Sequence, residues 1–188
     1  MTSAAPARSG SNRALVPSFL LVLLMAAGIG GASAQSVPAP PSATQRPPVA
    51  VSGWRYERSG ADRHVFHCEQ SSCGAGSKVS FRLYAADNPM TLEQFRDSQD
   101  QIIKALEQRT PGERITILGV DGDKGTAVPR MFRARRLTVT PNGVSEYQVN
   151  GLLFGARASA SLISSAHNEK ASNDNYAKFM VALASKIR

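Results

Sequence analysis

Past residue 35 the chain has no long apolar run. Nothing in that stretch can serve as a membrane-spanning helix, which needs about 20 consecutive apolar residues. Catalytic signatures are missing too: there is no G-x-S-x-G elbow, no HExxH, no P-loop and no GxGxxG. Aromatic residues make up 6% of the chain, with a single Trp. Near the basic cluster at Arg130 to Arg136, stacking aromatics are few, Phe132 and Tyr147, which speaks against nucleic acid as a partner. With two cysteines, at most one disulfide can form. Acid is scarcer than base, with 14 Asp and Glu against 22 Lys and Arg, a formal net charge of +8.

What is present begins with an address. Arg8 and Arg13 precede the apolar run Phe19 to Ile29, and Ala32-Ser33-Ala34 follows it. A basic lead, an apolar core of roughly a dozen residues and an A-x-A site describe a secretory signal peptide over residues 1–34. Cleavage is expected after Ala34, which leaves 154 of the 188 residues, enough for one domain. Of the eight excess positive charges, two leave with the leader and six remain. A modest positive charge suits solubility and can also attract anionic partners. The residue after the cleavage site is Gln35 rather than the Cys of a lipoprotein, and no twin Arg precedes the apolar core. The expected location is the periplasm or the exterior, with no transmembrane anchor.

Residues 35–51 are rich in Pro, with Pro38, Pro40, Pro41, Pro47 and Pro48. They read as a flexible, extended linker ahead of a single domain at 52–188. Trp54-Arg55-Tyr56 opens a strand, and Arg63 to Gln70 holds a second around Val65 and Phe66. In residues 77–84, Val79, Phe81 and Leu83 alternate with polar neighbours, the pattern of a half-buried strand. After a turn at Asp87-Asn88-Pro89, Thr91 with Gln94 three residues on reads as a capping box. Leu92, Phe95, Ile102, Ile103 and Leu106 recur at helical spacing, and Pro111-Gly112 ends the helix. A short strand is expected at 113–118, a Gly- and Asp-rich loop at 119–129, and strands at 130–140 and 144–154 around Asn142-Gly143. Another strand follows at 158–164, then a polar loop and a helix over 173–186 capped by Ser172, Asn173 or Asp174. Strands and helices do not alternate regularly, so the fold class is α+β, an antiparallel sheet with two long amphipathic helices packed on it.

This order resembles the PsbP/DcrB-like group of α-β-α sandwich proteins over about residues 90–188. The resemblance rests on Thr91-Leu92-Glu93-Gln94-Phe95, the turn Gly122-Asp123-Lys124-Gly125-Thr126-Ala127, the strand Ala160-Ser161-Leu162-Ile163, and the closing helix with Tyr176 and Phe179. It implies a binding or assembly role without an enzyme's site, and it transfers no functional residue to this chain.

Few constellations can carry chemistry. Cys68 and Cys73 in an oxidising compartment predict a disulfide that pins a turn between strands. The string His64, His67, Cys68 and Cys73 also invites a zinc reading, but residues 64 and 67 of a strand point to opposite faces, and oxidised sulfurs bind zinc poorly. A redox pair has two intervening residues, not four. Asp121-Gly122-Asp123-Lys124-Gly125 hints at a calcium loop but lacks the closing bidentate Glu. Arg130, Arg133, Arg135 and Arg136 form the strongest charge cluster, with Arg133 and Arg135 on one strand face and Arg136 on the other. They are candidates for binding phosphate, sulfate or carboxylate groups, or else they protect a sheet edge. Ser165, His167 and Glu169 are too close in sequence to converge as a triad. The reading is a non-enzymatic accessory or binding protein of the cell envelope, without cofactor, whose partner is an envelope protein or an anionic envelope component. The alternative is a small secreted hydrolase or metal-dependent enzyme built on His64, His67 or His167, which requires those rings to meet.

Overall fold

The computed structural model of the chain describes residues 46–87, 90–125 and 129–188. The leader, the linker up to residue 45, Asn88-Pro89 and Thr126-Ala127-Val128 lie outside the described residues. The strands are β1 (Trp54–Ser59), β2 (Arg63–Cys68), β3 (Lys78–Ala85), β4 (Arg114–Gly122), β5 (Arg130–Val139), β6 (Ser145–Phe154) and β7 (Ala158–Ala166). The helices are α1 (Leu92–Arg109) and α2 (Glu169–Ile187), with a single 3-10 turn at Ser71–Cys73. The strands form one antiparallel sheet in the order β1-β2-β3-β7-β6-β5-β4. The class is α+β, as the order of elements predicts.

The helices cover opposite faces. Tyr176, Phe179, Leu183 and Ile187 of α2 pack with Phe66, Val79, Phe81, Leu162 and Val149 into the larger core. On the other side, Phe95 of α1 packs with Phe132, Ala134 and Phe154. Alternation along β5 serves both: Phe132, Ala134 and Arg136 are buried, while the residues between them are half-buried.

α1 starts and stops where the sequence predicts. The Thr91 Oγ1 accepts from the Gln94 N–H at 3.1 Å, and the Gln94 side chain accepts from the Thr91 N–H at 2.8 Å. α2 begins four residues earlier than expected, and its cap is Asn168, whose side chain accepts from the Ala171 N–H at 2.8 Å. The polar stretch at its start is helical because tertiary partners satisfy it: the Ser172 hydroxyl donates to the Ser164 carbonyl at 3.1 Å and the Asn175 amide to the Cys73 carbonyl at 2.8 Å. β4 runs on through Gly119–Gly122, where a loop is expected, with a register shift between Ile117 and Gly119. A side chain at Gly119 would meet the Arg135 Nη2 at 2.6 Å, and one at Gly122 would collide with the Phe132 ring. Those glycines serve close packing inside a strand rather than a loop. Packing also starts slightly before Ser52, since Val49 is buried in the α2-side core.

α1 lies over the β4–β5 side of its face. Its apolar stripe is only partly used: Phe95 is buried, Gln99 is buried beside it, and Ile102 remains 44% exposed. The same face of β6, β7, β3 and β2 extends beyond the helix, and Ile163 of β7 is 39% exposed there.

Candidate functional site

The four arginines of the basic cluster divide between the two faces. Arg133 and Arg135 lie on the α2 side. The Arg133 Nε donates to Asp121 at 2.6 Å, and the Arg135 Nη1 to Glu169 at 3.4 Å. Arg130 and Arg136 lie on the α1 side, and the Arg130 guanidinium sits 5.3 Å from the centre of the Phe132 ring. The faces follow the strand period. The partner carboxylates come from β4 and α2, and no local pattern could reveal them.

The histidines do not come together. His64 faces the α2 side, where its Nδ1 bonds the Tyr56 hydroxyl at 2.9 Å and its ring stacks on Tyr56. His67 points the other way, its Nε2 3.3 Å from Glu57. His167 is exposed in the turn after β7, with its ring near Gly76. Cys68 and Cys73 are bridged, with Cα atoms 5.9 Å apart. Glu169 is occupied by Arg135 and Ser165 is buried in β7, so the Ser165-His167-Glu169 string forms no triad. Asp121 is paired with Arg133, and Asp123 accepts from the Met131 N–H at 2.8 Å. Among the described residues, no group of three His, Cys, Asp or Glu is placed to hold a metal ion.

The site that emerges lies between α1 and the uncovered half of the sheet. It is a groove of about 480 Å³, within the usual range of small-molecule sites. Phe95, Ile102 and Leu106 of α1 form one wall. Leu152 and Ile163 add apolar surface from the sheet, and Arg136, Gln148, Asn150 and Ser165 supply polar groups. Arg63 and Lys78 contribute two exposed cations. Among the described residues lining it, Glu146 is the one carboxylate, and it accepts from the Gln148 amide at 2.6 Å.

Arg136 dominates this groove. It is 4% exposed, and its Nη2 donates to the Gln99 Oε1. Among the described residues its Nε has no partner, and no carboxylate pairs with it. Burial pulls the guanidinium below its usual pKa, because desolvation disfavours the charged form. The Asn150 Nδ2, on the neighbouring strand and the same face, is likewise buried without a partner among the described residues. Both unmet groups are donors, so the groove has spare hydrogen-bonding capacity for an acceptor. The sequence marks Arg136 as charged. It does not reveal the burial, which follows from where α1 sits.

The sequence matches no protein-family profile and no curated protein. Solved structures with a similar arrangement include cyanobacterial PsbP (CyanoP) from Synechocystis, at 9% identity and a TM-score of 0.47, covering 72% of this chain and 79% of that one. Another is the Ran-binding protein Mog1p of Saccharomyces cerevisiae, at 10% identity and a TM-score of 0.42, covering 73% of this chain and 84% of that one. The first of these bears the name of the group that the sequence resembles. Among the described residues, no helix is long and apolar enough to cross a membrane.

Proposed function

We propose that this chain is an exported, non-enzymatic binding or accessory protein of the cell envelope, and that it works through the groove beside α1. The observation that carries the binding reading is the buried Arg136, a cation without a carboxylate partner among the described residues, in a groove whose far side carries Arg63 and Lys78. Keeping a charge out of water is costly unless something meets it. A groove lined by such a cation is better suited to binding than to packing alone. Export is supported by the A-x-A leader and by the bridged Cys68–Cys73 pair, which suits an oxidising compartment. Against catalysis stands the dispersal of His64, His67 and His167, since general acid–base work needs groups within hydrogen-bond reach of one substrate.

Two measurements test this reading. Mass spectrometry of the chain recovered from the envelope fraction should show an N-terminus at Gln35; a chain retaining residues 20–30 would refute the cleavage, and absence of the chain from that fraction would refute export. A pull-down from that fraction should recover material with the parent chain and lose it with the Arg136→Met, Ile163→Glu double variant. Equal recovery by both would place the partner elsewhere than the groove.

A further inference from the structure

We infer that the groove takes a small anionic amphiphile, a single carboxylate or phosphate head on an apolar chain, with the head held by Arg136 and Asn150 and the chain laid along Ile102, Leu106 and Ile163. The inference rests on the binding reading above and names its ligand. Its first support is the mismatch between donors and acceptors. A guanidinium carries five N–H donors, and the hydrogen bond to Gln99 engages Nη2 while Nε has no partner among the described residues. The buried Asn150 amide adds a further unmet donor on the same face. An oxyanion accepts from several donors at once and matches the planar fork of arginine. An ammonium head offers no acceptor, and a neutral head leaves the guanidinium charge uncompensated.

The second support is the apolar surface. Ile102 and Ile163 are 44% and 39% exposed, one on the helix and one on the sheet, and both line the same groove. An inorganic ion would leave that surface wet. An anion with an apolar body covers the surface and meets the charge. The third is the direction of the surrounding field: Arg63 and Lys78 are cations, and the groove's described carboxylate, Glu146, is engaged by Gln148. The arrangement steers negative charge inward.

The chain expressed from its full sequence and purified would be titrated with decanoate and decyl phosphate, by calorimetry and by methyl shifts of the isoleucines. Decanol, decylammonium, acetate and inorganic phosphate are the comparison probes. Decanoate or decyl phosphate should bind, and the preferred head identifies the oxyanion. Loss of either the charge or the chain should weaken binding by at least about tenfold. Arg136→Met should lose at least about tenfold in affinity while remaining folded, as a cooperative melt of the free variant checks, since Gln99 loses its donor but the fold's cores are untouched. Ile163→Glu, at an exposed position that the fold tolerates, should abolish binding by repulsion. Arg133→Met, on the opposite face, should bind like the parent. The inference is overturned if decanol matches decanoate, if phosphate alone matches decyl phosphate, or if Arg136→Met and Ile163→Glu bind unchanged. A groove-dependent pull-down without amphiphile binding would sink this ligand and leave the binding reading standing.

Discussion

Gly151 and Tyr176 provide the most direct test of how the sheet and α2 are fitted together. Gly151 lies in the middle of β6, between Arg133 of β5 and Leu162 of β7. A Cβ there would collide with the Tyr176 hydroxyl and lie 2.8 Å from Tyr176 Cζ and 2.9 Å from the Phe132 carbonyl oxygen. Tyr176 is 1% exposed and cannot swing away without opening the core around Phe179 and Leu183. Overpacking of this kind costs about 1–3 kcal/mol, and Ala returns about 0.5–1 kcal/mol over Gly inside a strand. Gly151→Ala should therefore destabilise by about 0.5–2 kcal/mol, a fall of about 2–8 °C in Tm for a domain of this size. The Tyr176 hydroxyl has no hydrogen-bond partner among the described residues, and burial pushes its pKa up, so the phenol stays neutral. Tyr176→Phe alone should be neutral or stabilising by up to about 1 kcal/mol. In the double variant the collision with oxygen is gone, and about 1 kcal/mol of the Gly151→Ala loss should return. Urea unfolding of the four proteins measures this coupling. A coupling below about 0.5 kcal/mol, the scatter for independent sites, would refute the close fit of Gly151 to Tyr176.

Three further outcomes follow from the same structure. Burial, and after it Arg58, hold the His64 pKa below its usual value, while Asp62 acts in the opposite sense. The folded protein then binds a proton less readily than the unfolded chain. This contribution to stability is full above about pH 6.5 and is lost as pH falls through the folded pKa. The urea midpoint should drop between about pH 7.5 and pH 5, and the drop should be smaller in His64→Gln; identical slopes would contradict it. Replacing Cys68 and Cys73 together by Ser should cost about 2 kcal/mol, the loop-closure value for so short a loop, read from denaturant midpoints under non-reducing conditions. Thr91→Ala removes the acceptor that caps α1 and should cost about 1 kcal/mol, with the circular-dichroism melt lowered accordingly; an unmoved melt would mean that the helix end is held by packing alone.

Features encoded by neighbouring residues were readable before any coordinates. The Thr91–Gln94 box, the Asn142-Gly143 hairpin and the period-2 pattern of β3 and β5 act within a few residues, and each stands where its signal lies. What failed to show depended on distant partners. Residues 169–172 look like a loop, and they are helical because the stretch is tied down by partners: Ser164 and Cys73 offer carbonyls to Ser172 and Asn175. Gly119 and Gly122 look like loop glycines until Arg135 and Phe132 are seen crossing over them. In the candidate site, the period of β5 correctly separates Arg136 from Arg133 and Arg135. The groove itself is set by the lateral position of α1, which leaves Ile102 and Ile163 open and buries Gln99 against Arg136. No local pattern specifies where a helix sits across a sheet.

The pairing of β3 with β7 has a temporal consequence. Lys78 meets Ser165 and Ala85 meets Ala158, so the join at the middle of the sheet closes over some 70 to 90 residues of chain. Contacts this remote form late, because the entropy of closing the intervening segment is lost before any contact rewards it. Synthesis from the amino end delivers β1, β2 and β3 well ahead of β7 and α2. During that interval Phe66, Val79 and Phe81 lack the helix that covers them in the finished core. The early half is then a sticky intermediate, exposed to self-association until the last thirty or so residues emerge. The rate at which the chain emerges, more than the final stability, would govern how much of this protein reaches its folded state.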